Sequence, residues 1–291
     1  MSKSKKPLPA ATTAQASALS EIRPGQSIEL LKELHILTRD GKLNQDSRRK
    51  LKQVYHLFQF IEPLLQELRA RQPDLSLVDH GAGKSYLGFI LYDLFFKQLN
   101  GASHIYGIET REELVQKSIA LAQRLGFKEM SFLNLSVAQS SDSSALPEAV
   151  DVVTALHACD TATDDAIEFA IKKQAKLIVL VPCCQAEVAS VLNRNKAKSL
   201  GRTSLTELWR HPLHTREFGS QVTNVLRCLQ LEAHGYQLSV TELVGWEHSM
   251  KNELIIARYK DLPRQRPTER LQEVLQSLGL EEMQERFSST M

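Results

Sequence analysis

From residue 75 to residue 181 the chain alternates short, nearly all-apolar runs with helix-length amphipathic stretches, and no other feature restricts its fold so tightly. The apolar runs lie at 75–78, 104–108, 130–137, 150–156 and 176–181. Between them, 86–98, 112–125 and 163–173 carry helical spacing. Strands that are apolar on both faces are covered on both faces, and strands joined by helices run parallel. Gly126 is placed to end the second helix in a left-handed turn, and Thr161 or Thr163 to cap the third. The segment QSSDSS reads as a loop. The reading is a doubly wound, Rossmann-like α/β sheet.

Other segments flank this core. Residues 1–26 are rich in Ser, Ala, Thr, Lys and Pro without periodicity, which predicts a disordered basic tail. Residues 27–72 read as an N-terminal helical extension. Its first helix carries Ile28, Leu30, Leu31, Leu34 and Ile36 and is stopped by Gly41. Its second spans 45–71, capped by Asp46 or Ser47, with a kink or break at Pro63. The core domain is set at 73–261. It ends in two strands, 237–243 and 253–259, whose polar connection suits an antiparallel pair at one sheet edge. Residues 262–291 form a helical tail with a frayed end.

Composition narrows the setting. Of 291 residues 42% are hydrophobic, enough for one sizeable core, and the net charge of +2 gives no global basic excess. Nucleic-acid contact must then come from local stretches at 3–6, 48–50 and 194–198; for Arg48, Arg49 and Lys50 a solvated helix face is the alternative. No apolar run approaches the roughly 18 residues of a membrane span, and the N-terminus lacks the apolar segment of a secretory signal. Cys159, Cys183, Cys184 and Cys228 match neither a zinc ribbon nor a C-x-x-C redox pair. Reduced thiols in a cytoplasmic protein follow, with no membrane and no DNA partner expected.

The chemistry starts at LSLVDHGAGKSYLGFIL, where a strand ending in Asp79 turns through Gly81-Ala82-Gly83 into an apolar helix. In open α/β sheets ligands sit at the carboxyl ends of strands, and the first such turn is a usual place. Gly83-Lys84-Ser85 supplies the end of a nucleotide P-loop, but Val78 stands where its leading glycine belongs. The dinucleotide fingerprint G-x-G-x-x-G meets Tyr86 at its third glycine. The pattern D-x-G-x-G remains, suited to a ligand without pyrophosphate: S-adenosylmethionine. Glu109 ends the second strand, where an acid accepts both ribose hydroxyls. The alternative is that Asp79 and Glu109 are ordinary strand-end polar residues.

VDHGAGKSYLG resembles motif I of the class I S-adenosylmethionine-dependent methyltransferases. LHACDTATDDAI, VPCCQAE and EHSMKNELIIA narrow the resemblance to a subgroup of bacterial methyltransferase-domain proteins, eukaryotic methyltransferase-like proteins and, more distantly, tRNA ribose methyltransferases; it covers 47–258. The resemblance implies a seven-stranded mixed sheet of order 3-2-1-4-5-7-6 with strand 7 antiparallel. It places Asp79, His80, Gly81, Ala82, Gly83, Glu109, Ser136 and His157 around the cofactor, Glu109 at the ribose. Many relatives carry an Asp after the third strand; here Asn134, Leu135 and Ser136 stand there.

Methyl transfer from a sulfonium needs alignment and removal of the acceptor's proton. Past the fourth and fifth strands lie His157, Cys159, Asp160, Cys183 and Cys184. His157 is the candidate general base, Asp160 the group that orients it or an acceptor amine, and Cys183 a candidate nucleophile for pyrimidine C5 chemistry. Each has a structural alternative: a core histidine, a helix-cap aspartate, a buried thiol. A zinc site of His157, Cys159, Cys183 and Cys184 is not demanded by their spacing, and no metal is expected. His248, Lys251 and Asn252 lie between the last two strands, as a shared site-lining feature or a polar connection. The basic stretches and the tRNA-modifying relatives favour an RNA acceptor, tRNA or rRNA. The alternatives are a protein or small-molecule acceptor, and a catalytically inactive module that keeps the cofactor fold. Oligomeric state stays open.

Overall fold

The computed structural model describes residues 21–99, 101–156, 161–182, 185–195, 204–243 and 253–288. The chain divides into two compact units, one ending at Tyr55 and one beginning at His56. The division falls inside a single long helix.

In the first unit a short helix, α1 (Ile28–Glu33), is capped by the Ser27 hydroxyl accepting from Leu30 N–H. It stops well before Gly41. His35 takes a left-handed φ of 54°, and the amides of Ile36 and Leu37 both return to Leu31 O. Gly41 instead closes the next turn on Thr38. The second helix, α2 (Gln45–Arg69), is capped not by Asp46 or Ser47 but by Asn44, whose side-chain oxygen accepts from Ser47 N–H at 2.7 Å. It runs through Pro63 as one element. In its first turn Arg48 bonds Glu21 at 2.8 Å and Lys50 bonds Asp46 at 2.8 Å, while Arg49 is exposed.

In the second unit seven strands form one sheet in the order β3-β2-β1-β4-β5-β7-β6. They are β1 (Ser76–His80), β2 (His104–Glu109), β3 (Met130–Asn134), β4 (Val152–Leu156), β5 (Leu177–Val181), β6 (Tyr236–Glu242) and β7 (Glu253–Tyr259). The first five are mutually parallel, and β7 is antiparallel to both β5 and β6. This is the expected sheet, including the edge pair. The helices are α3 (Tyr86–Leu94), α4 (Glu112–Leu125), α5 (Val137–Asp142), α6 (Thr161–Lys172), α7 (Glu187–Asn195), α8 (Pro212–Ala233), α9 (Gln265–Ser277) and α10 (Gln284–Ser288).

The apolar strands bury what their composition requires. Every residue of LIVLV in β5 is buried. Val78, Val153, Ile178 and Ile255 meet Ile167, Phe169 and Ala170 of α6 in one cluster. Burial of this kind is the main stabilising term of the fold. Gly126 ends α4 with φ 70°. Where a loop was expected after β3, Ser136 and Gln139 close a capping box that starts α5, so β3 ends at Asn134. α6 starts at Thr161, so Thr161 and Thr163 lie inside the helix rather than before it. The tail is two helices rather than one. Leu271, Leu275 and Phe287 pack with Leu226 and Leu229 of α8, and Phe287 is fully buried, so the end does not fray before Ser288. Among the described residues no helix is long and apolar enough to cross a membrane.

Candidate functional site

The carboxyl ends of β1 and β2 meet at the glycine turn. Gly81 and Gly83 have φ of 65° and 59°, a left-handed backbone that side chains resist. The turn is laid against β2 by two hydrogen bonds: Ala82 N–H to Ile108 O at 2.8 Å, and Gly83 N–H to Glu109 Oε2 at 2.8 Å. A Cβ at Gly83 would enter the space beside Arg111 and Glu109. Bare backbone and an acid thus share one wall of the site.

Asp79 shapes this turn from behind. It is 2% exposed, and both carboxylate oxygens are engaged: Oδ1 accepts from Thr154 Oγ1 at 2.8 Å, Oδ2 from Ser85 Oγ at 3.1 Å and Gly88 N–H at 3.3 Å. Burial pushes its pKa up to about 6, against the three bonds that pull it down. Ser85 is held in a left-handed conformation, φ 49°, and is fully buried on this carboxylate. Gly88, in the first turn of α3, gives Asp79 room: a Cβ there would sit 2.5 Å from Ser85 Oγ and 3.3 Å from Asp79 Oδ2. Through these three bonds Asp79 holds the loop in place.

Glu109 faces the turn. Its Oε1 accepts from Arg111 N–H at 3.0 Å and Arg111 Nε at 2.9 Å; its Oε2 accepts from Gly83 N–H and, at 3.2 Å, from Arg111 Nη2. Burial alone would raise this acid, but the Arg111 guanidinium and the two amides outweigh it and hold the carboxyl at about 2. Asn134 has a role that sequence reasoning missed. Its amide donates to Glu109 O at 3.1 Å and Thr110 O at 2.8 Å, fastening the end of β3 to the end of β2. An Asp could not donate there, so the departure from the family pattern has a structural reason.

His80 differs from its expected placement. Its side chain points to the opposite face of the sheet from Asp79, 3% exposed, with its ring 5.2 Å from Phe169. Both ring nitrogens lack a hydrogen-bond partner, and burial pushes its pKa down to about 4. Only its backbone borders the turn. Ser136 is exposed and serves as the cap of α5. His157, Cys159, Asp160, Cys183, Cys184, His248, Lys251 and Asn252 all lie outside the described residues. Among the described residues no group of three or more metal-ligating side chains forms.

A buried polar network stands beyond β5. Gln185 Nε2 donates to Asn224 Oδ1 at 2.7 Å and its Oε1 accepts from Ser220 at 2.9 Å. Asn224 donates to Glu253 at 2.6 Å. Fully buried Arg227 bonds both oxygens of Asp164, at 2.7 and 3.0 Å, and so ties α8 to α6. Sequence reasoning missed this network, since its partners lie far apart in the chain and look like polar positions on amphipathic helices. Beside it is a cavity of about 770 Å³ at the starts of α6 and α7. Asp164, Asp165, Glu168, Glu187, Glu282 and Glu285 line it, against two cations, Arg194 and Arg286.

A family model described as Methyltransferase domain matches residues 49–191. No curated protein matches the chain. Solved structures with a similar course include magnesium protoporphyrin IX methyltransferase from Synechocystis PCC 6803 with bound SAH, at 16% identity and TM-score 0.43, covering 80% of this chain and 93% of that one. Precorrin-6y C5,15-methyltransferase from Geobacter metallireducens GS-15 matches at 17% identity and TM-score 0.38, over 64% and 80%. An rRNA methylase from Streptococcus thermophilus matches at 10% identity and TM-score 0.39, over 64% and 87%. The chain thus matches a methyltransferase domain over residues 49–191, and its sheet has the strand order that the sequence resemblance implies.

Proposed function

We propose that the chain holds S-adenosylmethionine at the β1–β2 turn and methylates RNA. The observation that carries the cofactor half is the Glu109 carboxylate, fixed 2.8 Å from Gly83 N–H beside a glycine backbone in left-handed conformation. Bound there, S-adenosylmethionine supplies a methyl group activated by its sulfonium. The ribose diol is the part that Glu109 would accept from, and Gly81, Ala82 and Gly83 offer backbone to the methionine end. Asp79 and Asn134 keep these groups in place.

The acceptor approaches the ends of β4 and β5, after which the sequence places His157, Asp160 and Cys183. In this reading His157 removes the acceptor's proton, Asp160 orients His157 or the acceptor, and Cys183 adds to C6 if the target is a pyrimidine C5. The RNA half rests on the basic stretches of the sequence. Where they are described, Arg48, Lys50 and Arg194 are engaged by Glu21, Asp46 and Glu282 in exposed ion pairs. Such pairs are worth little, so a phosphate backbone can displace them at small cost.

The acidic cavity beside α6 and α7 favours a second reading, a cationic protein or small-molecule acceptor, because the five carboxylates besides the Arg227-paired Asp164 outnumber Arg194 and Arg286 and repel phosphate. Labelled methyl transfer separates the two. Label in total RNA from cells lacking the gene, absent with Glu109→Ala, supports RNA. Label that survives RNase treatment of the lysate supports the second reading. No transfer to any pool, with nucleoside binding intact, indicates an inactive module.

A further inference from the structure

We propose that Arg111 gates the ribose subsite: its guanidinium occupies the Glu109 carboxylate and must swing away before a nucleoside diol can bind there. The inference rests on the cofactor reading above.

The carboxylate has no vacant oxygen. Of its five donors, two are the amides of Gly83 and Arg111, which belong to the turn and to the start of α4 and cannot leave, and a third is the neighbouring Thr110 hydroxyl at 3.3 Å, which can rotate away. The other two, Arg111 Nε and Nη2, sit on a movable side chain. A ribose offers two adjacent hydroxyls, and they need the same two acceptor directions. The geometry suits motion of Arg111 and not of Glu109: the arginine side chain is 63% exposed, the glutamate side chain 8%. Nothing but water is needed to receive the guanidinium, and the first turn of α4 offers more. Exposed Glu113 already acts on it electrostatically. Arg111 is also the residue that precedes the first turn of α4, where a positive charge opposes the helix dipole. That weakens the closed state and keeps the gate easy to open.

Displacing a pair with one exposed partner subtracts a modest factor from ligand affinity. The test is calorimetric titration of S-adenosylhomocysteine into the full chain, wild type beside Arg111→Lys and Arg111→Met. Arg111→Met is expected to bind about three- to tenfold tighter, with Arg111→Lys between the two. Raising the ionic strength should tighten wild-type binding and leave Arg111→Met unchanged. Equal or weaker binding by Arg111→Met, with a wild-type melting temperature, overturns the gate while the cofactor reading stands. Binding by none of the three, all folded by circular dichroism, overturns the cofactor reading and the gate with it.

Discussion

Asp79→Asn should make the protein more stable at pH 8 relative to wild type than at pH 4. The carboxylate is 2% exposed and carries no cation partner among its bonds. Its folded-state pKa of about 6 lies above the ordinary 3.8, so the folded chain holds a proton that the unfolded chain has released between about pH 4 and pH 6. Stability therefore falls as pH rises through that window, by at most about 3 kcal/mol at 1.36 kcal/mol per pKa unit. Asparagine has the same shape and no charge. Its oxygen can accept from Ser85 and Gly88 while its NH₂ donates to the Thr154 hydroxyl, which reverses its own role. The variant removes the penalty without opening a cavity. Urea denaturation of both proteins at pH 4 and pH 8 reads the effect, because other titrating groups cancel in the difference. A difference in stability that is the same at both pH values would refute the account of Asp79 as a buried, unneutralised acid.

Gly83→Ala strains a left-handed backbone by about 1 kcal/mol and puts a methyl group beside Glu109; a lower melting temperature together with weaker S-adenosylhomocysteine binding is expected. Gly88→Ala pushes a Cβ onto Ser85 Oγ and the Asp79 carboxylate, and should lower the melting temperature as well. Arg227→Met leaves Asp164 buried without its bidentate partner and should destabilise by about 3–5 kcal/mol in urea melts, with much of that recovered by adding Asp164→Leu. Asn134→Ala removes two donors to the β2 end, about 1 kcal/mol each, and should weaken nucleoside binding measured by calorimetry.

The sheet was legible because each strand is a short apolar run and each crossover a periodic stretch, and tertiary contacts had no local preference to override. The edge pair β6–β7 was legible for the same reason. What failed was local. QSSDSS has no apolar stripe, yet Ser136 and Gln139 satisfy each other's backbone and wind a turn of helix. The stop of α1 lies at His35, a residue in a left-handed conformation that its type does not announce. In the site, the turn and Glu109 were readable from the order strand, acid, glycines, helix, strand, acid. The jobs of the side chains were not. Asp79 and His80 are neighbours on a strand and so face opposite sides of the sheet, and the Oδ1 of Asp79 accepts from Thr154, which lies 75 residues away. Arg111 on Glu109, Asn134 on the β2 end, and Arg227 on Asp164 are pairings that spacing along the chain cannot show.

The central claim is that the β1–β2 turn and Glu109 hold S-adenosylmethionine. The most direct measurement is calorimetric titration of S-adenosylmethionine and S-adenosylhomocysteine into wild type and Glu109→Ala. Micromolar binding by wild type, lost in a folded Glu109→Ala, is the result predicted. No binding of either compound by folded wild type, or unchanged binding by Glu109→Ala, would contradict it.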